Sequence, residues 1–375
     1  MICSRCIYDD KIPYISFDGE GICNYCKEHE RLDLEYPTGK EGWNILTKLA
    51  EKIKYDGKNK KYDVVVGVSG GCDSSYLLYL SKKLGLRTLA AHFDNTWNTE
   101  IGIKNLNIMI EKLGVGLYTH VVDSGEACDI FRSTLKASII NADVWSDIGL
   151  ATTHYLAAEK YGVKYIFEGH SFRTEGISPR GLFYMDGKFV ESIQKQFGSY
   201  RISTFPNLWL NKWLRWLIVN RIKKIRPLYY IDYNKEDIKK FLNKEFGWQW
   251  YGGHHMENKT ACFGNNYFKP LKFDFDLRNI EYSALIRSGQ MLRSEALQKI
   301  KNPYLFDKSI LEEIKKRLNF TDDEFEEIVK LPFKTYHDYK TYKKTFEKMR
   351  WFFWVMYKFN LVTKSFYMKF TKKEE

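Results

Sequence analysis

The run Ser69-Gly70-Gly71-Cys72-Asp73-Ser74-Ser75 holds the most chemistry in the shortest span of this chain. Two adjacent glycines let backbone N–H groups come close to an anion, and a helix starting just after them adds the positive end of its dipole. Ser69, Ser74 and Ser75 can donate hydroxyl hydrogen bonds to phosphate oxygens, and Asp73 can hold a magnesium ion. With Val68 leading in, these residues read as a phosphate cradle in which Asp73, Ser69 and Ser74 do the work. The lysine and spacing of G-x-x-x-x-G-K-[ST] are missing, and so is G-x-G-x-x-G. A second group opens the chain: Cys3-x₂-Cys6, sixteen residues, then Cys23-x₂-Cys26. Four thiolates on two knuckles can close a tetrahedral zinc site and supply folding energy that 35 residues lack. Reactive cysteines and an iron–sulfur cluster are the competing readings. Cys72, Cys128 and Cys262 stand singly and read as small space-fillers.

The elements that must position these residues alternate. Val64-Val65-Val66-Gly67-Val68 reads as a buried parallel strand, followed by a helix over about 74–84 that stops at Gly85. A strand at 88–93, a helix near 101–113, a strand at 117–122, a helix over about 149–161 and a strand at 164–167 follow. This succession predicts an α/β fold with a doubly wound parallel sheet, whose ligands sit at the carboxyl ends of the strands. Phe93 and Asp94 at one strand end, and Glu168, Gly169 and His170 at another, are thereby candidate nucleotide contacts. Residues 172–222 interrupt the alternation with an aromatic and basic insertion. Residues 225–230 read as a strand, and Asn234 as a helix cap with Asp237 at N3. Helices are predicted around 281–300, 307–318 and 321–330. The organisation is then a zinc-binding module of four cysteines (1–35), a linker helix (36–61), the α/β domain (62–246), a substrate segment (247–330) and a basic aromatic tail (331–375).

The chain has 375 residues and a formal charge of +12, which invites a nucleic-acid reading. The excess is local: residues 208–226 contain six basic and no acidic side chains, and residues 330–375 twelve basic and four acidic. The remainder is slightly acidic, which weighs against nucleic acid as the partner. No apolar run is long enough to cross a bilayer, and the amino terminus lacks a signal-peptide core, so a cytoplasmic location is expected. Trp209 to Arg221 is amphipathic and basic; a subdomain core or partner interface is the favoured reading, over a peripheral contact with the inner membrane.

The loop resembles the PP-loop of the ATP pyrophosphatase superfamily, which splits ATP to AMP and pyrophosphate while adenylating a substrate oxygen. The likeness reaches further. Four zinc-type cysteines, then the loop, then Gly247-Trp248, Tyr251-Gly252-Gly253-His254-His255, Glu257, Pro270, Lys272-Phe273, Asp276, Arg278, Ser288-Gly289-Gln290-Met291 and Arg293-x-Glu295-Ala296-Leu297 resemble the bacterial N-acetyl sugar amidotransferases. That resemblance runs to about residue 305. It implies ATP, Mg²⁺ and Zn²⁺ as cofactors, a zinc-ribbon-like amino-terminal module, and conversion of an acetamido to an acetamidino group through an adenylated imidate, in lipopolysaccharide O-antigen or related surface-glycan synthesis. It also implies an acidic or nucleotide-linked sugar, for which Arg173, His254, His255, Glu257, Lys272, Arg278, Arg287 and Arg293 are candidate contacts. No glutaminase signature is present; the resemblance implies ammonia from a glutaminase subunit of imidazole-glycerol-phosphate-synthase type, with a barrel-type companion. His254, Tyr282-Ser283-Ala284 and Leu292 depart from the family pattern and bear on which sugar is bound. The alternative is a tRNA-modifying PP-loop enzyme of thiolase type, against which stands the lack of a third C-x-x-C.

Overall fold

The computed structural model describes residues 1–304 and 306–373. Five strands form one all-parallel sheet: β1 (Val64–Gly67), β2 (Thr88–Asp94), β3 (Gly116–Val121), β4 (Tyr165–Phe167) and β5 (Lys223–Ile225), in the order β3-β2-β1-β4-β5. The order reverses at β1, so the loop after β1 opens at the switch point where a doubly wound sheet leaves a crevice. Helices cover both faces. Val64, Val66 and Val68 pack on one side with Ala90 and Phe167; Val65, Leu89, Ala91 and Ile166 face the other. That alternation is why these strands are apolar at every position.

The helices Cys72–Lys83, Glu100–Leu113 and Val144–Lys160 lie close to their expected places. Within the α/β domain, Ser124–Lys136 and Gly187–Phe197 lie outside the expectations. Ser124–Lys136 is capped by the Asp123 side chain, which accepts from the Glu126 N–H, and it buries Ala127, Ile130, Phe131 and Leu135. Gly187–Phe197 lies inside the insertion and is capped by Asp186.

Three expectations are corrected. The strand expected at 225–230 ends at Ile225, because Pro227 starts a single 3₁₀ turn, Pro227–Tyr230. The helix Gly39–Gly57 is no spacer: Leu46, Ala50 and Ile53 share a core with the β1 valines. The helix expected over 281–300 is two, Arg278–Arg287 and Arg293–Lys299, parted by a turn whose Gly289 has φ +71°.

The insertion and the tail pack on each other. Trp216 is fully buried and stacks on Tyr155 at 5.0 Å; Trp213 meets Phe366 at 4.9 Å and Phe353 at 6.2 Å. No helix among the described residues is long and apolar enough to cross a membrane.

Candidate functional site

The loop is held from four directions. Gly70 has φ +83°, and a Cβ there would lie 2.0 Å from the Gly102 carbonyl oxygen, so only glycine lets the loop rest on the helix Glu100–Leu113. The Gly70 carbonyl accepts from Trp248 Nε1 (3.0 Å) and Asn105 Nδ2 (3.4 Å). Within the loop, the Ser69 N–H donates to Ser74 Oγ (3.3 Å), the Gly71 N–H to Ser69 Oγ (3.3 Å), and Ser74 Oγ to the Gly71 carbonyl (3.2 Å). The Cys72 N–H donates to the Tyr251 hydroxyl at 3.1 Å. Gly169 at the end of β4 closes the side: a Cβ there would lie 3.4 Å from Asp73 C and Ser74 N.

Asp73 is the charged centre. Tyr233 donates a hydrogen bond to its Oδ1, and Lys235 Nζ lies 3.3 Å from Oδ2. Burial would raise its pKa, but the Lys235 ammonium, the Tyr233 hydroxyl and a hydrogen bond with Glu175 hold it below the usual carboxylate range. Glu175 goes the other way, pushed up to about 8 by burial and by the Asp73 charge beside it. Two carboxyl groups sharing a hydrogen bond in an enclosed place are suited to a divalent cation.

The late segment supplies the roof. Glu257 Oε1 accepts from Ser69 Oγ (3.0 Å), and a Cβ on Gly71 would lie 2.8 Å from that oxygen. Glu257 Oε2 is buried without a hydrogen-bond partner. His255 Nδ1 stands 3.7 Å from Glu257 Oε1; burial opposes its charge, yet the Glu257 hydrogen bond and carboxylate raise it to about 9. The His254 ring lies against His255, tilted by 47° with centroids 3.8 Å apart and its Nδ1 3.4 Å from Lys235 Nζ, and burial followed by its cationic neighbours pushes it well down. Asp143 and Asp147 flank this roof. Burial and the neighbouring Asp147 raise Asp143 to about 7.

Of the residues expected from sequence, the structure brings Ser69, Gly70, Gly71, Asp73, Ser74, Gly169, His170, His254, His255 and Glu257 together, and with them Tyr251, which the resemblance includes without a role, and Glu175, Tyr233 and Lys235, which sequence reasoning missed. Val68 and Ser75 are buried as the loop's framework. Asp94 accepts from the Thr96 N–H (2.9 Å) and Asn98 Nδ2 (3.1 Å) and shapes the turn after β2. Phe93 is corrected as a nucleotide contact, since its ring is packed into the core against Gly149 and Phe205.

The five candidate cations are corrected too, since each is engaged inside the protein. Arg173 pairs with Asp33 (2.7 Å) and donates to the Tyr229 and Tyr36 carbonyls. Lys272 caps the helix Asp322–Lys330 through the Ile328, Val329 and Leu331 carbonyls, at 2.8–2.9 Å. Arg278 is bidentate on Asp276, and Arg293 donates to the Cys3 (2.9 Å) and Cys6 (3.0 Å) carbonyls. Arg287 donates to Cys6 Sγ (3.2 Å), Cys26 Sγ (3.3 Å) and Cys23 Sγ (3.8 Å).

The four cysteines of the amino-terminal module, three of which receive Arg287, are buried, and their sulfurs all lie within 4.8 Å of one another. An all-thiolate set of that size could hold a metal ion and fits zinc. Nor do the single cysteines look like nucleophiles: burial, then the Asp73 charge, pushes Cys72 up to about 12, and burial pushes Cys262 to about 11.

Residues 257–352 match the family described as LPS biosynthesis protein WbpG-like, C-terminal domain. The match begins at the residue that roofs the loop and continues into the tail, beyond the resemblance read from the sequence. No curated protein matches the chain. Among solved structures, NMN synthetase from Francisella tularensis is similar at 16% identity and a TM-score of 0.35, covering 79% of this chain and 97% of that one. NH3-dependent NAD synthetase from Campylobacter jejuni subsp. jejuni NCTC 11168 is similar at 13% identity and a TM-score of 0.31, covering 77% and 97%.

Proposed function

We propose that the chain is an ATP-dependent, AMP- and pyrophosphate-forming amidotransferase that turns the acetamido group of an N-acetylated, acidic or nucleotide-linked sugar into an acetamidino group, in lipopolysaccharide O-antigen or related surface-glycan synthesis. One observation carries the reading. Ser69 of the phosphate-type loop donates to Glu257, the first residue of the segment matched to an LPS biosynthesis family, so loop and segment are parts of one site.

An amide oxygen is a weak nucleophile and a poor leaving group, so exchange for nitrogen needs prior activation. The acetamido oxygen attacks the α-phosphorus of ATP and the bond to pyrophosphate breaks. Ammonia then adds to the imidate carbon, AMP leaves with the former amide oxygen, and the amidine keeps both nitrogens. The loop's N–H groups, Ser69 and Ser74 meet the negative charge that grows on the departing pyrophosphate. Asp73 with Glu175 would hold Mg²⁺, which supplies charge neutralisation at the phosphates; Cys3, Cys6, Cys23 and Cys26 would hold Zn²⁺ as a structural ion. Glu257, placed over Gly71 with an unpartnered oxygen, orients His255 and receives a proton or a donor from the acceptor. Ammonia comes from a partner glutaminase of the imidazole-glycerol-phosphate-synthase type, with a barrel-type companion.

The test is pyrophosphate release with ammonia and Mg²⁺ across a panel of N-acetylated nucleotide sugars and nonulosonic acids. Release with at least one acceptor, lost in Asp73→Asn, is expected. Salt-sensitive release stimulated by tRNA and by no sugar would transfer the chain to the RNA-modifying alternative.

A further inference from the structure

A cationic centre lies beside the loop at the carboxyl ends of β4 and β5. Lys224 and Arg226 both reach Glu168, at 2.6 and 3.3 Å. Arg226 also donates to the Tyr229 hydroxyl (3.0 Å) and to Ser365 Oγ (3.5 Å), and His170 Nδ1 lies 3.1 Å from that Tyr229 hydroxyl. Ser365 belongs to the tail helix Lys364–Phe370, and Lys369 follows it by four residues, hence on the same face.

The rest of that helix is fixed by other contacts. Phe366 packs on Trp213 (4.9 Å) and Phe370 on Tyr184 (5.3 Å), while Lys343 Nζ donates to the Lys369, Phe370 and Lys372 carbonyls. Lys364 pairs with Glu35 at 2.9 Å. Lys369 thus lies one turn beyond Ser365, on the helix face that meets Arg226. Burial, then the Arg226 and Lys369 charges, lower His170 to about 3; burial and Arg226 lower Lys369 to about 8. Among the described residues the Lys369 ammonium has no carboxylate partner; Glu168 is shared by Lys224 and Arg226, and Glu175, pushed up to about 8, lies 3.9 Å from His170 Nε2 on the loop side, so the cations outnumber the carboxylates where the tail helix meets Arg226. Partly desolvated like charges without a counter-ion are unfavourable, and a bound anion removes that penalty.

We propose that Lys369 and Arg226, with His170 between them and the loop, form an oxyanion subsite that the carboxy-terminal helix completes. Its occupant is either the pyrophosphate end of ATP or the anionic group of the acceptor, and to that extent the inference rests on the ATP-splitting reading. The position favours an anion shared with the loop, since Gly169 abuts Asp73 and Ser74 and His170 follows it directly.

The experiment titrates the full chain calorimetrically with inorganic pyrophosphate in one arm and N-acetylneuraminate, a carboxylated N-acetyl sugar, in the other. Lys369→Gln is expected to weaken one of them about ten-fold or more, the loss of a charge-assisted contact. Lys369→Arg retains binding, and the exposed Lys373→Gln changes nothing. The arm that weakens names the source of the anion. Should Lys369→Gln fail to fold, acetic-anhydride footprinting of the wild type reads the same contact: the anion protects Lys369 and leaves Lys373 reactive. Unchanged affinity in both arms, or a wild type that takes up neither anion, overturns the inference even where pyrophosphate release succeeds. Failed release together with Lys369-dependent binding overturns the proposed reaction and leaves the subsite standing.

Discussion

Replacing Arg287 by methionine removes a buried guanidinium that donates to three cysteine sulfurs and lies 4.5 Å over the Tyr8 ring. Four thiolates around a divalent ion leave two negative charges, and Arg287 is the cation placed against them. Removing such an outer partner typically lowers metal affinity 10- to 100-fold, about 1.4–2.7 kcal/mol. The metal-free chain has a different balance: hydrogen bonds from Cys23 and Cys26, against the effect of burial, hold Cys6 low, while Cys23 is raised to about 11 and Cys26 higher still. At most one thiolate then needs the guanidinium, and methionine fills its volume. Arg287→Met is therefore expected to lose zinc to a chromophoric chelator at a 10- to 100-fold lower chelator concentration, and to melt lower when zinc-loaded. The chelator-treated protein should change by less than about 1 kcal/mol, because a ligand that binds only the folded form adds stability according to its affinity. Equal losses in the loaded and stripped forms, or an unchanged chelator competition, would refute the reasoning and leave Arg287 an ordinary packing residue.

Gly70→Ala forces a Cβ against the Gly102 carbonyl and a side chain into a left-handed conformation. A loss of more than about 1 kcal/mol in denaturant unfolding is expected, along with the loss of pyrophosphate release. Glu257→Gln removes the hydrogen bond and charge that raise His255. Because the folded pKa of about 9 lies above the ordinary 6.5, His255 contributes stability that is present below pH 6.5 and lost as pH rises through 9. The wild type should accordingly lose stability relative to Glu257→Gln across that window, and parallel melting curves from pH 6.5 to 9.5 would count against the contact.

Much of the scaffold was legible because it is local. The valine run, the glycine pair and the helix after them occupy twenty consecutive residues, and the alternation of strands with helices points to a parallel sheet, though not to the order of its strands. The helix Ser124–Lys136 carries a legible signal as well: Ala127, Ile130, Phe131 and Leu135 recur at helical spacing after an aspartate cap. The roof of the site is another matter. Tyr233 and Lys235 reach Asp73 across about 160 residues, and nothing in Tyr-Asn-Lys distinguishes a site from a surface turn. Glu175 lies seven residues past Glu168, close to motifs already singled out, so its signal was proximity to a strand end. The cations were misassigned for a common reason: arginine and lysine cap carbonyls and balance thiolates as readily as they bind ligands, and only contacts separate these uses. Charge location misled in the same way. Lys224, Arg226 and Lys369 belong to the two basic stretches that set the charge of the chain, yet Lys224 and Arg226 lie at the strand ends beside the loop, and the helix that carries Lys369 meets Arg226 there.

The grip of Arg287 on the knuckles also sets an order of events. Its guanidinium is separated from Cys26 by 261 positions, on the order of 10–50 s of synthesis at ordinary elongation rates. The four thiols thus leave the ribosome well before the residue that balances them. A metal captured in that interval is sealed in only once Arg287 has been made and has reached the knuckles. Cofactor loading is thereby an early commitment and charge balance a late one, and protein made under metal starvation would close over an empty cage.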